Sequence, residues 1–237
     1  MTSRAIEFPP CKETADSAVP NFNRLARIYR WMEWLTFGPF LQRCRCTFLS
    51  GLAERRRALV LGDGDGRFTA RLIRSNLGIT VDAVDASEAM LRELASRSPV
   101  TRVRTHLADA RTFTPIHRDY DMVATHFFLD CLSQEEVCDL ASHLRQHVTM
   151  NAVWIISEFA IPSDLYGRTL AAPLIRALYF AFALLTKLRV RTLPNHHAAL
   201  NQSGWSLQDR QTALRGLLVS ERWELDLETR ESLQLSD

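Results

Sequence analysis

The chain has 237 residues, 46% of them apolar and 24% charged, which are ordinary globular values at a length that buries a sizeable core, so disorder is excluded for the chain as a whole. Its 29 basic and 27 acidic residues leave a formal net charge of +2. The one basic run, Arg55-Arg56-Arg57, reads as a solvated loop, and a nucleic-acid binder is excluded because it would gather Lys and Arg on one face.

Residues 1–20 are polar and Pro-containing, lack an apolar signal core, and read as a flexible leader. From Asn21, the residues Phe22, Leu25, Ile28, Trp31, Met32 and Leu35 recur at helical intervals. They predict an amphipathic helix pair over 21–52, broken at Gly38-Pro39, that caps the remainder of the chain. The pattern then changes to short apolar runs separated by helical stretches. Strands are predicted at 58–61, 80–84, 103–107, 120–125 and 152–158, with helices at 68–75, 87–96 and 134–148. Alternating strands and helices imply right-handed crossovers and an α/β, doubly wound, mostly parallel sheet covered on both faces.

The apolar run at 170–188 is interrupted by Pro173, Arg176 and Lys187. Its uninterrupted part is shorter than the roughly 20 residues of a membrane span, so it reads as a buried or interfacial helix, part of a helical lid insert over 165–202. The runs at 205–213 and 216–225 predict an antiparallel hairpin closing one sheet edge. A single domain over 21–237 accommodates all of this, with 58–158 as its binding core.

Ligands of such sheets bind outside the carboxyl ends of the strands. Those ends carry Gly62-Asp63-Gly64-Asp65-Gly66, then Asp85 with Ala86, then Asp109 with Ala110, then Thr125-His126. The glycines let backbone approach a ligand closely. Asp85 stands where a carboxylate accepts both ribose hydroxyls of an adenosine, and Asp109 is placed to receive the adenine amine beside the Ala110 N–H. A dinucleotide loop favours Gly-x-Gly-x-x-Gly, whereas here the third glycine falls one place early and Arg67 occupies the expected slot. A nicotinamide-dependent reductase is thereby the weaker reading.

VLGDGDGRFTARL, VDAVDASEAML, HLADARTF and YDMVATHFFLDCLS, in this order and spacing, resemble the successive motifs of class I S-adenosylmethionine-dependent methyltransferases. The resemblance covers about 58–158 and implies a seven-stranded, Rossmann-like sheet. S-adenosylmethionine has no phosphate; it carries a sulfonium, an ammonium and a carboxylate, so acids in the loop attract rather than repel it. That family usually has an acid two residues before the first glycine, where this chain has Val60, and Asp63 is the expected substitute near the ammonium. FNRLARIYRWME resembles the Phe-Asp-x-x-Ala-x-x-Tyr-Asp opening of the ubiquinone and menaquinone C-methyltransferases, with Asn23 and Arg30 in place of the two acids. By that resemblance Tyr29 covers the cofactor.

The implied function is methyl transfer by in-line displacement to a small hydrophobic or aromatic acceptor. A general base is needed where the acceptor loses a proton, and His126 and Asp130 are the candidates. His126 reads equally as a packing residue on the cofactor side, and Asp130 as the N-terminal acid of the next helix. The alternative is a non-catalytic S-adenosylmethionine-binding sensor or assembly protein. A homodimer and contact with a membrane surface are compatible with either. Five cysteines, an odd number without framework spacing, read as reduced thiols of a cytoplasmic protein. No metal is expected: Cys44-x-Cys46 lacks a second pair, and His196-His197 lacks a third ligand.

Overall fold

The computed structural model describes residues 39–162 and 194–226, with Thr169 and Pro173. The predicted leader, the first cap helix with Tyr29, and the rest of the apolar run at 170–188 lie outside the described residues. No helix among the described residues is long and apolar enough to cross a membrane.

The strands are β1 (Arg57–Leu61), β2 (Thr80–Asp85), β3 (Val103–Leu107), β4 (Tyr120–His126), β5 (Val148–Phe159), β6 (Trp205–Ala213) and β7 (Leu218–Leu225). The helices are α1 (Pro39–Arg45), α2 (Arg67–Ser75), α3 (Glu88–Arg97), α4 (Gln134–Arg145) and α5 (His196–Gln202). One seven-stranded sheet has the order β3-β2-β1-β4-β5-β7-β6, parallel through β5, with β7 antiparallel to both β5 and β6. Strand order reverses between β1 and β4, and this places the carboxyl ends of those two strands side by side.

Strand alternation divides the core. Val60, Ala83, Met122, Ala124 and Ile155 face α2 and α3 through Phe68, Leu72, Ile73 and Leu94. Leu59, Leu61, Val123, Trp154, Ile156 and Trp223 face α4 and α5 through Val137, Leu140, Ala141, Leu144, Ala199 and Leu200. Both faces of β1 are buried, which is why it reads as an unbroken apolar run rather than an alternating one.

Three boundaries depart from the sequence reading. The predicted helix at 134–148 ends at Arg145, since the N–H groups of Gln146 and His147 close a tight turn and Val148 pairs with Tyr120 as the start of β5. The second cap helix is short: α1 ends at Arg45, and a 3-10 turn at Leu49–Leu52 sends Phe48 and Leu52 into the core. Residues 196–202, which the sequence reading grouped with the insert, form α5 and bury Ala199 and Leu200 in the main core beside Trp205. The predicted hairpin forms, with β7 taking the interior place and β6 the edge. Arg55-Arg56-Arg57 is tied to the sheet: Asp121 accepts the N–H groups of Arg56 and Arg57, and Arg55 donates to the Asn151 carbonyl.

Candidate cofactor and acceptor site

The glycine loop leaves β1 with Gly62, Gly64 and Gly66 at φ of +69°, +60° and +77°. Gly66 is held by packing as well as conformation, because a Cβ there would lie 2.5 Å from Leu94 Cγ and 2.7 Å from Leu94 Cα on α3. Replacing Gly66 with alanine is expected to destabilise the fold by about 3 kcal/mol, the sum of a left-handed penalty and overpacking against backbone. Urea unfolding checks this, and a loss below about 1 kcal/mol would show that the α2–α3 contact yields easily. Gly64 differs: among the described residues a Cβ there would meet only Met90 Sδ at 3.8 Å, which leaves room for a ligand on this side of the loop.

The two loop acids do not share one role. Asp65 accepts from Arg67 Nε at 2.9 Å and from Arg97 NH1 at 3.2 Å, which offsets its charge and ties the loop to the last turn of α3. Asp63 is buried, and its Oδ2 accepts the Thr69 N–H at 2.8 Å. It thus caps α2, whose N-cap residue Gly66 has no side chain for the task. Asp63 Oδ1 is buried with no hydrogen-bond partner among the described residues, an orphan acceptor of the kind a cationic ligand group satisfies. Burial pushes the Asp63 carboxyl up to about 6. Val60 is fully buried between β1 and α2, so the family's acid is replaced here by core packing.

Asp85 closes β2 and is braced for its place. Its Oδ1 accepts the Ser87 N–H at 2.8 Å, and the Gly64 N–H also donates to it. Burial raises it to about 6 against these hydrogen bonds. Ala86 follows it, and Ser87 caps α3. Asp109 departs from the simple expectation: its carboxylate is clamped by Arg111, which also reaches Glu136 Oε1 at 2.8 Å. Burial alone would raise Asp109, but the hydrogen bonds and charge of Arg111 outweigh it and hold the carboxyl below its ordinary value. Ala110 is buried in the core next to it. The open face at Gly64, the braced Asp85 and the orphan oxygen of Asp63 together fit an adenosyl cofactor with a cationic methionine end.

His126 ends β4 on the α2 side. Its Nδ1 lies 3.0 Å from Ser157 Oγ, its ring meets Phe68 edge-on at 4.2 Å, and Nε2 is buried without a partner among the described residues. Burial, and then the charge of Arg45, push it well below its ordinary value, so it is neutral. In this structure the ring packs between Phe68 and Ser157. Arg45, buried with its guanidinium 5.3 Å from the Phe127 ring, is a cation in this region that helical periodicity alone did not single out.

Past His126 the chain reverses face. Phe127 adopts φ +54°, a conformation costing on the order of 1–3 kcal/mol for a non-glycine residue. The turn aims the N–H groups of Phe128 and Leu129 at Glu158 Oε1, at 3.2 and 2.8 Å. Glu158 ends β5 as a buried acid whose Oε2 lacks a partner among the described residues. Burial, and then the neighbouring charge of Asp130, push it well above its ordinary value. Asp130 is also buried, as the acid in the 3-10 turn Leu129–Cys131, and Ser133 and Glu136 form the capping box of α4. The site therefore contains two buried acids whose charges interact, Asp130 in the turn after β4 and Glu158 near the end of β5. Glu158 was not legible in the sequence, where a lone acid at the end of a run has no partner in view. A second group lies beside the pair: Glu221 of β7 accepts from His196, His197 and Trp223. Burial raises the Glu221 carboxyl, but the two histidines outweigh it and hold it well below the usual range.

Residues 58–151 match the family model described as a methyltransferase domain. No curated protein matches the chain. Among solved structures, the mitomycin 7-O-methyltransferase MmcR has a TM-score of 0.64 at 12% identity, covering 86% of this chain and 60% of that one. The S-adenosylmethionine-dependent methyltransferase SibL has a TM-score of 0.64 at 20% identity, with 90% and 64% covered. A TehB-like S-adenosylmethionine-dependent methyltransferase from Corynebacterium glutamicum has a TM-score of 0.58 at 12% identity, with 86% and 99% covered. The chain thus spans less than two thirds of the length of the first two and nearly the whole of the third, and at these identities the likeness is one of fold. Residues 58–151 thus match a methyltransferase domain, and the seven-stranded sheet around them is the fold of the solved S-adenosylmethionine-dependent methyltransferases.

Proposed function

We propose that the protein transfers a methyl group from S-adenosylmethionine to a small hydrophobic or aromatic acceptor whose reacting oxygen or ring carbon must lose a proton. The observation that carries this reading is the buried Asp130–Glu158 pair, two and three strands from the braced Asp85 and on the same carboxyl edge of the sheet. When bound, S-adenosylmethionine supplies the activated methyl group; the chain supplies alignment, exclusion of water and a proton acceptor.

Burial and the charge of Asp130 both disfavour ionisation of Glu158. Glu158 is pinned by the Phe128 and Leu129 N–H groups and pushed toward its protonated form, and the pair together is the group that receives a proton from an acceptor. His126, neutral and enclosed by Phe68 and Ser157, keeps the floor of the site dry and rigid. One structural relative is a mitomycin 7-O-methyltransferase, which is consistent with an oxygen acceptor. Membership of the ubiquinone and menaquinone C-methylating group rests on residues 22–33, outside the described residues, and is the finer form of the same proposal. A reducing, cytoplasmic setting belongs to it too, supported by Cys44, Cys46, Cys131 and Cys138 as free thiols.

Incubating the protein with methyl-labelled S-adenosylmethionine and a metabolite extract, followed by a panel of phenols and quinols, tests the reading. The expected result is label in an apolar organic product. Calorimetric binding of S-adenosylmethionine with no labelled product from any acceptor would favour the sensor reading, for which the buried apolar Val60 is the specific observation.

A further inference from the structure

We propose that His196, His197 and Glu221 form a binding site for one divalent transition-metal ion of the zinc class. From the sequence the two histidines lack a third ligand; the fold supplies it from β7, 24 residues beyond His197.

The geometry converges. His196 Nε2 lies 2.9 Å from Glu221 Oε2, and His197 Nε2 lies 2.7 Å from Glu221 Oε1. The ligating atoms all fall within 4.8 Å of one another. A tetrahedral zinc ion with ligands at about 2.1 Å holds them roughly 3.4 Å apart, so small side-chain rotations convert this cluster into a coordination shell. Two imidazoles and one carboxylate select zinc, cobalt, nickel or copper over magnesium or calcium, which prefer all-oxygen shells.

The support behind the ligands is rigid. Glu221 is fully buried in the interior strand β7, and Trp223 Nε1 donates to its Oε2 at 3.0 Å, which fixes the carboxylate plane. His197 packs edge-on against Trp223 at 5.0 Å. Both histidines sit on the first turn of α5, where the Asn195 side chain accepts the Ala198 N–H and Gln134 brackets the Asn195 backbone through two hydrogen bonds. The His197 side chain is 34% exposed, which leaves a way in for the ion and room for a water as further ligand.

One group competes. Arg210 Nε lies 3.4 Å from Glu221 Oε1 on a side chain that is 44% exposed, so it must swing into solvent when a dication enters. This distinguishes a metal site from a purely structural ion-pair cluster: removing Arg210 helps a metal and harms the cluster.

The test is a cobalt(II) titration of the metal-free full-length chain, followed by visible absorption and thermal unfolding. We expect one equivalent bound with the ligand-field bands of low-coordinate cobalt, and a rise in melting temperature with added ion. Glu221→Gln and His197→Ala each weaken binding at least tenfold, while Arg210→Ala tightens it by roughly three- to tenfold through loss of a like charge. Should Glu221→Gln fail to fold, the half-exposed His197 and Arg210 variants decide alone. Absence of saturable binding at millimolar cobalt overturns the proposal. So does unchanged affinity in His197→Ala, or weaker binding in Arg210→Ala. None of these readouts depends on methyl transfer, so the site stands or falls separately from the proposed reaction.

Discussion

Replacing Asp85 by alanine lowers S-adenosylmethionine affinity by roughly 100-fold, about 3 kcal/mol, the scale of losing charge-assisted hydrogen bonds to both ribose hydroxyls in a desolvated site. Asp85 is suited to this because it is already braced by the Ser87 and Gly64 N–H groups, so little ordering is needed on binding. Isothermal titration calorimetry measures the effect. Asp85→Asn, which can still accept the two backbone donors, separates a loss of charge from a collapse of the loop. Affinity within threefold of wild type in Asp85→Ala would remove Asp85 from the cofactor site.

The same residue sets a pH dependence. Burial holds both Asp85 and Asp63 up at about 6, above the ordinary value of 3.8. A bound cofactor with a cationic end favours the ionised carboxylates, so affinity is full above about pH 6 and falls as pH drops through that value. For the unliganded fold the sign is opposite. A carboxyl whose folded value is raised takes up its proton more readily folded than unfolded, so these two groups add stability as pH falls from about 6 toward 4. Parallel trends in affinity and in unliganded stability would contradict the burial assigned to the pair.

The second large effect is on turnover. Glu158→Gln is expected to lower kcat by roughly 10²- to 10⁴-fold, the range for loss of a positioned proton acceptor, while leaving cofactor affinity nearly unchanged. Glutamine can still accept the Phe128 and Leu129 N–H groups through its amide oxygen, so the turn after β4 survives. What is lost is the ionisable carboxyl group that Glu158 contributes to the pair. Single-turnover label transfer with the acceptor found by screening gives the rate. Equal rates for wild type and variant would mean that the acceptor needs no base and that the pair is structural. His126→Asn serves as the contrast: its neutral, enclosed ring predicts a loss of packing stability with a smaller effect on the chemical step.

Much of the fold was legible because its causes are local. Val103 to Leu107, Trp205 to Ala213 and the run through Leu61 carry strand patterns that neighbouring turns delimit, and the helix over α3 begins where Ser87 can cap it. Boundaries failed where a longer-range pairing competed. The helix predicted to run through Val148 stops at Arg145 because Tyr120 pairs with Val148, a contact 28 residues distant that no local propensity reports. The glycine loop, Asp85 and the end of β4 were legible for a related reason: all are strand-end positions, and a parallel sheet brings every such end to one edge.

The sequence by itself determined that strands and helices alternate, that three closely spaced glycines follow the first strand, and that acids close the next two. These are features of composition and period, so they survive without coordinates. Only the tertiary structure decided what each side chain faces. Strand parity turned His126 toward Phe68 and Ser157, and a left-handed Phe127 turned Asp130 the other way, beside Glu158. Asp63 was claimed by the first turn of α2 and Asp65 by Arg67 and Arg97. The insertion of β7 between β5 and β6 brought Glu221 to His196 and His197. A hairpin can be read from its turn and alternation, but which of its strands joins the sheet depends on the face each can bury against Trp154, Trp205 and Ile156, and that choice is made only when the whole core closes.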